Sequence, residues 1–372
     1  MPKATTTTDP AKGETIAPTL SPDALTRTIA RHPRPLGGDT ARSRDRGAIS
    51  LTGMVLNNAD EAIQQRAIGR KPDWIRAKVP GGDGYHRLKN IVGEHKLHTV
   101  CEEASCPNMG ECWSRGTATI MILGDTCTRS CGFCNVKTGK PLPPDAEEPW
   151  RVGASLALMG LKHVVITCVD RDDLPDGGAA HWAETIRQCH AQCPEMSVEA
   201  LIGDHKGKTD DLDVIIASRP EILAHNMETV RRMHPAVRPQ ARYERSIEVL
   251  KHIKQSGLVT KTSIMVGIGE TDAEVLQLMD DLRDACDIDI LTVGQYLQPT
   301  RNHLPIDRWV TPEQFDMFRD EGLARGFKVV ESGPLVRSSY HAEEQAAKLS
   351  PDRAQVHERM GELLDGAKKN RG

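Results

Sequence analysis

A chain of 372 residues has room for one large barrel-class domain with extensions, or for two domains. Its 48 basic and 52 acidic residues leave a formal net charge of −4, which argues against a nucleic-acid binder held by a basic face. Ten cysteines occur without a charged-then-apolar leader or a long apolar run, so neither a secreted disulfide framework nor a membrane span is expected.

Residues 1–50 are expected to form a disordered arm. Segments such as ATTTTDPAKGET and RHPRPLGGDTARSRDRG are rich in Thr, Pro, Gly and charge, and no aromatic residue precedes Trp74. Such a stretch buries too little apolar surface to offset the entropy of ordering. Its eight Lys or Arg residues suit a transit peptide, but Asp9, Glu14, Asp23, Asp39 and Asp45 argue against one. The expected location is cytoplasmic.

From residue 117 the pattern alternates. The strand TATIMILG (117–124) is followed by a cysteine loop and a helix ending at Gly160. HVVITC (163–168), SVEALIG (197–203), EILAHNM (221–227), VTKTSIMVGIG (259–269) and DILTVGQYL (289–297) read as strands, each followed by a helical segment. Thr271 and Thr311 stand as N-caps, the second followed by Pro312 at the first helical position. KVVESGPLV is the last apolar run. The alternation gives six βα units and a parallel sheet. The expected fold is α/β, a partial (β/α)6 TIM-type barrel, with a doubly wound sheet as the competitor. Either places its chemistry at the carboxyl ends of the strands. The expected segments are the arm (1–50), an N-terminal extension (51–116), the barrel with a short C-terminal motif (117–341) and a charged, helical tail (342–372).

Six of the ten cysteines lie between Cys101 and Cys134. Cys127, Cys131 and Cys134 form Cys-x3-Cys-x2-Cys, just after the first strand. Thiolates select zinc or iron–sulfur clusters, and a closed zinc site needs four ligands. Three thiolates on a four-iron cluster leave one iron open for a substrate group; a zinc knot or plain buried thiols are the alternatives. Gly132 permits a tight wrap, and Phe133 puts an apolar ring beside the open iron. Cys101, Cys106 and Cys112 form a second triplet, also one ligand short, in a stretch whose Pro, Gly and Asn indicate a loop.

Cys127, Cys131, Phe133 and Cys134 match the Cys-x3-Cys-x-aromatic-Cys signature, so the chain resembles the radical S-adenosylmethionine enzymes. The resemblance implies a [4Fe-4S] cluster held by these cysteines, with S-adenosylmethionine on the open iron as the source of a 5′-deoxyadenosyl radical. With the upstream triplet, KPDWIR, GDTCTRSCGFCNVKTG, ITCVDRDDLPDGGA, VGQYLQPTRNHLPI and GPLVRSSYHA, the chain from about Lys71 to His341 resembles the lipoyl synthase family. That resemblance implies a second, auxiliary [4Fe-4S] cluster on Cys101, Cys106 and Cys112, with a serine ligand from the Arg337–Ser338–Ser339–Tyr340 motif. The ligand carries over to Ser339, with Ser338 as the adjacent alternative; RSSY by itself reads as an ordinary Ser turn. The N- and C-terminal extensions would thus carry the auxiliary cluster.

The implied reaction inserts two sulfurs, at carbons 6 and 8 of an octanoyl chain on a carrier lysine. It uses two S-adenosylmethionine and sulfur from the auxiliary cluster. Implied partners are 2-oxoacid dehydrogenase E2 subunits, the glycine cleavage H protein, a flavodoxin or ferredoxin reductant and iron–sulfur repair proteins, with no nucleic acid and no membrane. Asp170, Arg171, Asp172 and Asp173 follow the second strand, where these enzymes hold the amino group of S-adenosylmethionine. Asn226 and Glu228, after the fourth strand, are placed to reach its ribose or methionine part. VGIGE (266–270) lacks the dinucleotide fingerprint and reads as a close-packed strand end. Cys168, Cys189, Cys193 and Cys286 read as core cysteines. Gly203 departs from a family pattern that commonly has proline, a change expected to affect strand-end geometry more than chemistry. Lys71–Arg76 is expected to cover the auxiliary cluster or meet the carrier domain, with a packed Trp74 as the alternative. Competing functions are another sulfur-inserting radical enzyme, such as a methylthiotransferase or a biotin synthase, and a non-enzymatic metal scaffold.

Overall fold

A computed structural model describes residues 48–49, 55–56, 70–76, 81, 83–94, 98–103, 106–115 and 117–349. The arm, apart from Ala48–Ile49, and the tail beyond 349 lie outside the described residues.

The main sheet has eight strands. They are β1 (His98–Thr99), β2 (Thr117–Ile122), β3 (His163–Cys168), β4 (Ser197–Leu201), β5 (Ile222–Ala224), β6 (Val259–Val266), β7 (Ile290–Gln295) and β8 (Val329–Gly333). They lie side by side in chain order, β1 antiparallel to β2 and all later neighbours parallel. The order never reverses, as a doubly wound sheet requires at its switch point. Uniform right-handed crossovers wound one way keep the helices on one face. β2 and β7 are buried at every position, as expected for parallel strands covered on both sides.

Among the described residues the α-helices longer than one turn are α1 (Asp83–Glu94), α2 (Met109–Ser114), α3 (Glu148–Met159), α4 (Ala179–Gln192), α5 (Thr209–Ala217), α6 (Tyr243–Gln255), α7 (Asp272–Cys286), α8 (Pro312–Ala324) and α9 (Ala342–Leu349). In α3, Val152, Leu156 and Met159 recur at helical spacing on the buried face. Gly160 ends it at φ 64, its N–H bonded to Leu156 O. Thr271 and Thr311 both form capping boxes, with Glu274 and Gln314. The core falls into two main parts. One surrounds Trp113, Trp182 and Ile186; the other surrounds Leu282, Phe315 and Phe318. Each such fully buried apolar side chain contributes about 1.5–3 kcal/mol.

One expectation needs correction, and one alternative is not met. The upstream cysteine segment is not all loop: Cys101 lies in the helical turn Val100–Glu103 and Cys112 in α2. Local composition opposes helix there, but α2 is held by Trp113, which is 1% exposed and stacks on Tyr85 of α1 at 5.5 Å. In KPDWIR the packed residue is Ile75, fully buried, whereas Trp74 is 43% exposed and donates only to Val310 O at 3.3 Å.

β1 and β8 are the two edges of the strand order. A flat sheet of this width would part them by roughly 30 Å. Yet segments flanking those edges touch: Asn108 Nδ2 donates to Leu335 O at 2.6 Å, and Thr117 Oγ1 to Glu343 at 2.9 Å. The sheet therefore curves until its edges approach. Helix α9, the first part of the expected tail, closes this end, with Ala346 packed beside Ile222, Ile290 and Val329.

Candidate active site

The loop after β2 carries Cys127, Cys131 and Cys134. Its two ends are drawn together by the short parallel pairing of Thr126–Cys127 with Lys137–Thr138. Gly132 is clamped from both sides: its N–H donates to Val237 O and its carbonyl accepts from Leu304 N, each at 2.9 Å. A Cβ at Gly132 would lie 2.8 Å from Leu304 Cδ1 and 3.3 Å from Ala236 O, so the tight wrap expected there is present. His303 Nε2 meets Cys134 O at 2.9 Å. Phe133 is half-buried against the second core.

The loop after β3 docks onto the first cysteine. Cys127 Sγ accepts from Asp170 N at 3.3 Å and Arg129 N at 3.4 Å. Thr128 donates twice to Asp170 O. Arg129, between the first two cysteines, is 4% exposed. It forks onto Asp172 at 2.8 and 2.9 Å and reaches Asp204 at 2.7 Å, with Asp170 at 3.7 Å. Burial opposes its charge, but Asp172, Asp170 and Asp204 outweigh that. Burial likewise pushes up Asp204, yet the bond to Arg129 prevails and holds its carboxyl below the usual range. Sequence reading missed Arg129 and Asp204; an arginine inside the cysteine-loop spacer, with an Asp after β4, was the available signal.

Asp170 and Glu228 behave differently. Burial raises both carboxyls, Arg129 and Arg238 only partly offsetting it. Glu228 accepts from Asn226 Nδ2 at 3.0 Å, and Asn226 Oδ1 is a buried acceptor with no partner. Arg238, also missed, is buried and donates to Asn226 O at 2.7 Å. The site thus offers two poorly solvated acids and an unused acceptor, a set suited to a ligand ammonium and hydroxyls. Arg171 is buried but turned to Asp173, at 2.9 Å through two nitrogens, and to Leu123 O; it braces the loop.

Gly203 lies at the end of β4, beside the Asp170 side chain. A Cβ there would sit 2.5 Å from Asp170 Oδ1. In VGIGE, a Cβ on Gly267 would meet Gln295 Nε2 at 2.2 Å and Arg308 O at 2.5 Å, so that strand end is close-packed. Glu270 shapes it by accepting Gly267 N and Ile268 N at 2.6 and 3.0 Å.

The second triplet lines a small pocket, partly open to solvent. Cys101, Cys106 and Cys112 face Thr117 and Thr119 of β2, and Arg337, Ser339 and Tyr340 from beyond β8. Ser338 is not in the lining. Tyr340 N donates to Arg337 O at 2.9 Å, so RSSY does form a turn, and that turn offers Ser339 to the cavity.

Burial raises the Cys134 thiol to about 12, and also raises Cys127 and Cys131. Burial, then the neighbouring Cys106, raises Cys101 to about 11; the same causes raise Cys112. Thiols so placed ionise when a metal supplies positive charge. Among the described residues no three His, Cys, Asp or Glu side chains converge closely enough for a single metal ion. Cys189 and Cys286 are buried, and Cys193 Sγ meets Gly153 O at 3.7 Å.

Residues 121–282 match the Radical SAM superfamily, and residues 56–106 match the N-terminal domain of lipoyl synthase of the Radical SAM family. The lipoyl synthase of Parabacteroides distasonis is 56% identical over 274 residues, covering 74% of this chain and 97% of that protein. That of Bacteroides fragilis is 56% identical over 274 residues, 74% of this chain and 95% of its own. The chain belongs to the lipoyl synthase family. The mitochondrial lipoyl synthase of Nematostella vectensis is 54% identical over 274 residues, 73% of this chain and 94% of its own. Streptococcus suis SuiB bound to S-adenosylmethionine overlays with a TM-score of 0.47 at 13% identity, covering 61% of this chain and 54% of that one. As radical SAM enzymes, members of the lipoyl synthase family use a [4Fe-4S] cluster with S-adenosylmethionine. No helix among the described residues is long and apolar enough to cross a membrane.

Proposed function

We propose that this lipoyl synthase family member inserts two sulfurs, at carbons 6 and 8 of a protein-bound octanoyl-lysine, to give the lipoyl group. Family membership supports the reaction class, and the two cysteine triplets, each lacking a fourth cysteine, carry the reading. When bound, a [4Fe-4S] cluster with S-adenosylmethionine supplies hydrogen abstraction from unactivated carbon, and an auxiliary [4Fe-4S] cluster supplies the sulfur.

Cys127, Cys131 and Cys134 hold the first cluster, and Gly132 and His303 keep their loop in place. Asp170 and Glu228 accept from the ammonium of S-adenosylmethionine. Asn226 Oδ1 takes a further donor, and Phe133 shields the open iron from water. Arg171 braces the Asp170 loop through Asp173. Cys101, Cys106, Cys112 and Ser339 hold the auxiliary cluster; the place of Ser339 in the cavity lining favours it over Ser338. Oxygen is a harder ligand than thiolate, so the serine-bound iron is the one most readily given up. The curved sheet serves as a partial (β/α)6 barrel over 117–341, with the auxiliary site contributed by 51–116 and the segment after β8. Partners are octanoylated 2-oxoacid dehydrogenase E2 subunits or glycine cleavage H protein, a flavodoxin or ferredoxin, and iron–sulfur repair proteins, all in the cytoplasm.

The test is anaerobic turnover of an octanoylated carrier peptide, read by mass. A gain of two sulfurs is expected. Cys101→Ala is expected to abolish sulfur gain while 5′-deoxyadenosine still forms. A colourless protein that contains zinc and no sulfide would instead indicate a metal scaffold and end this reading.

A further inference from the structure

Ser339 reaches the cysteine cavity from a segment remote in sequence, and its hydroxyl has no protein hydrogen bond among the described residues. Its placement is therefore set by the anchors on either side. On the N-terminal side, Arg337 Nη1 donates to Gln295 O at 3.2 Å and Val336 O at 2.7 Å. These bonds tie the turn to β7, and just before it Leu335 O accepts from Asn108 Nδ2, between Cys106 and Cys112, at 2.6 Å. On the C-terminal side the polar anchors to other segments lead to the cysteine-bearing segment. Tyr340 and His341 stack at 3.9 Å, and both meet Glu111 Oε1 at 3.3 Å, next to Cys112. Beyond them Arg115 Nε, one position past α2, donates to Glu343 Oε1 at 2.8 Å and also pairs with Glu344. The second Glu343 oxygen accepts from Thr117 Oγ1 at 2.9 Å. Both oxygens of Glu343 are thus held by the segment from Cys112 to the first residue of β2.

We infer that Arg115, Thr117 and Glu343 form a latch that positions Ser339 for its iron, and that opening the latch lets the serine leave. This rests on the two-cluster reading above. The latch is built for release. Arg115 is 37% exposed at its side chain and Glu343 19%, so water can reach and replace the ion pair. The chain segment it holds is one short helix, α9, whose Ala346 also packs beside Ile222, Ile290 and Val329. Arg115 and Glu343 lie outside the cavity lining, which Thr117 joins; all three act here as positioning residues.

The test uses the full chain, reconstituted without air, with iron release to a ferrous chelator followed over time. Wild type, Glu343→Gln, Arg115→Lys and Ser339→Ala are compared. Glu343→Gln loses a charged hydrogen-bonded pair, so it is expected to release auxiliary iron about tenfold faster. Arg115→Lys keeps the charge but cannot span Glu343 and Glu344 together, so it is expected to fall between wild type and Glu343→Gln. The electron paramagnetic resonance of the Cys127 cluster, and its change on adding S-adenosylmethionine, is expected to be the same in all four. An unchanged release rate in Glu343→Gln, where Ser339→Ala accelerates, overturns the latch and leaves the two-cluster reading standing. Equal acceleration at both clusters overturns it as well, since that is general loosening. Wild type saturating near four irons instead of eight fells both. Should Glu343→Gln fold poorly, Thr117→Val removes one of the two bonds. It is expected to speed release about threefold, in line with a weaker neutral-donor bond, and no change there also overturns the latch.

Discussion

Arg129 shows how one side chain organises three strand ends. It lies within the downstream cysteine triplet, yet its guanidinium gathers Asp170 and Asp172 after β3 and Asp204 after β4. Asp204 is fully buried, so removing its partner strands a charge in a low-dielectric setting. Arg129→Met is expected to cost about 3 kcal/mol and to lower cluster loading at Cys127, Cys131 and Cys134. Arg129→Lys should recover little, since an ammonium cannot reproduce the fork onto Asp172. Thermal unfolding and iron content of the three proteins measure this; a methionine variant as stable and as iron-rich as wild type would show that the arginine is dispensable. Gly203 belongs to the same arrangement, because its missing side chain is what leaves room for the Asp170 carboxylate.

Among the elements, α7 is tied down at its start. Glu274 closes the capping box with Thr271 and also pairs with Arg232 at 2.7 Å. The bond to Arg232 is the main reason its carboxyl falls from 4.5 to about 2. A carboxyl depressed in the folded state stabilises above its unfolded value, and that contribution is lost as pH falls through the folded value. Arg232 is more than half exposed, so solvent screening keeps the pair modest. Glu274→Gln is expected to lose about 1 kcal/mol at pH 7. The gap from wild type should narrow as pH drops from 4.5 toward 2. Thermal midpoints of both proteins across that range test the sign: a gap that widens in acid would contradict the linkage.

At the scale of the whole molecule, the sheet carries a fully buried ion pair across β5. Lys261 Nζ of β6 donates to Glu199 Oε2 of β4 at 2.9 Å, and both side chains are 0% exposed. Removing one partner leaves the other charge without solvent, whereas replacing both with apolar groups removes the problem. Lys261→Met is expected to destabilise by about 3 to 5 kcal/mol, and adding Glu199→Leu should restore most of the loss. Chemical unfolding of the single and double variants decides it; an additive double variant would mean that the two charges do not act as a pair. The curvature that brings the edge segments of the sheet together belongs to this scale too, because the auxiliary cavity exists only where residues before β2 meet residues beyond β8.

Periodicity, capping residues and glycine stops are local, so the βα alternation, the ends of α3, α7 and α8, and both cysteine triplets could be read from the chain in order. Thr271 with Glu274, and Thr311 with Pro312 and Gln314, encode their helix starts within a single turn. The short helix α2 could not be read that way, because Trp113 earns its helix by packing on Tyr85 from another segment. Arg171 lay in the right loop, but which acid it would face was not written in its neighbours. Arg129, Arg238, Gly203 and the Arg115–Glu343 pair act across gaps of tens to hundreds of positions. Their roles come from long-range contacts that only a folded chain creates. Sequence alone therefore determined which chemistry the chain carries; tertiary structure decided which charges face each other, because burial and distance, not order along the chain, set electrostatic energy.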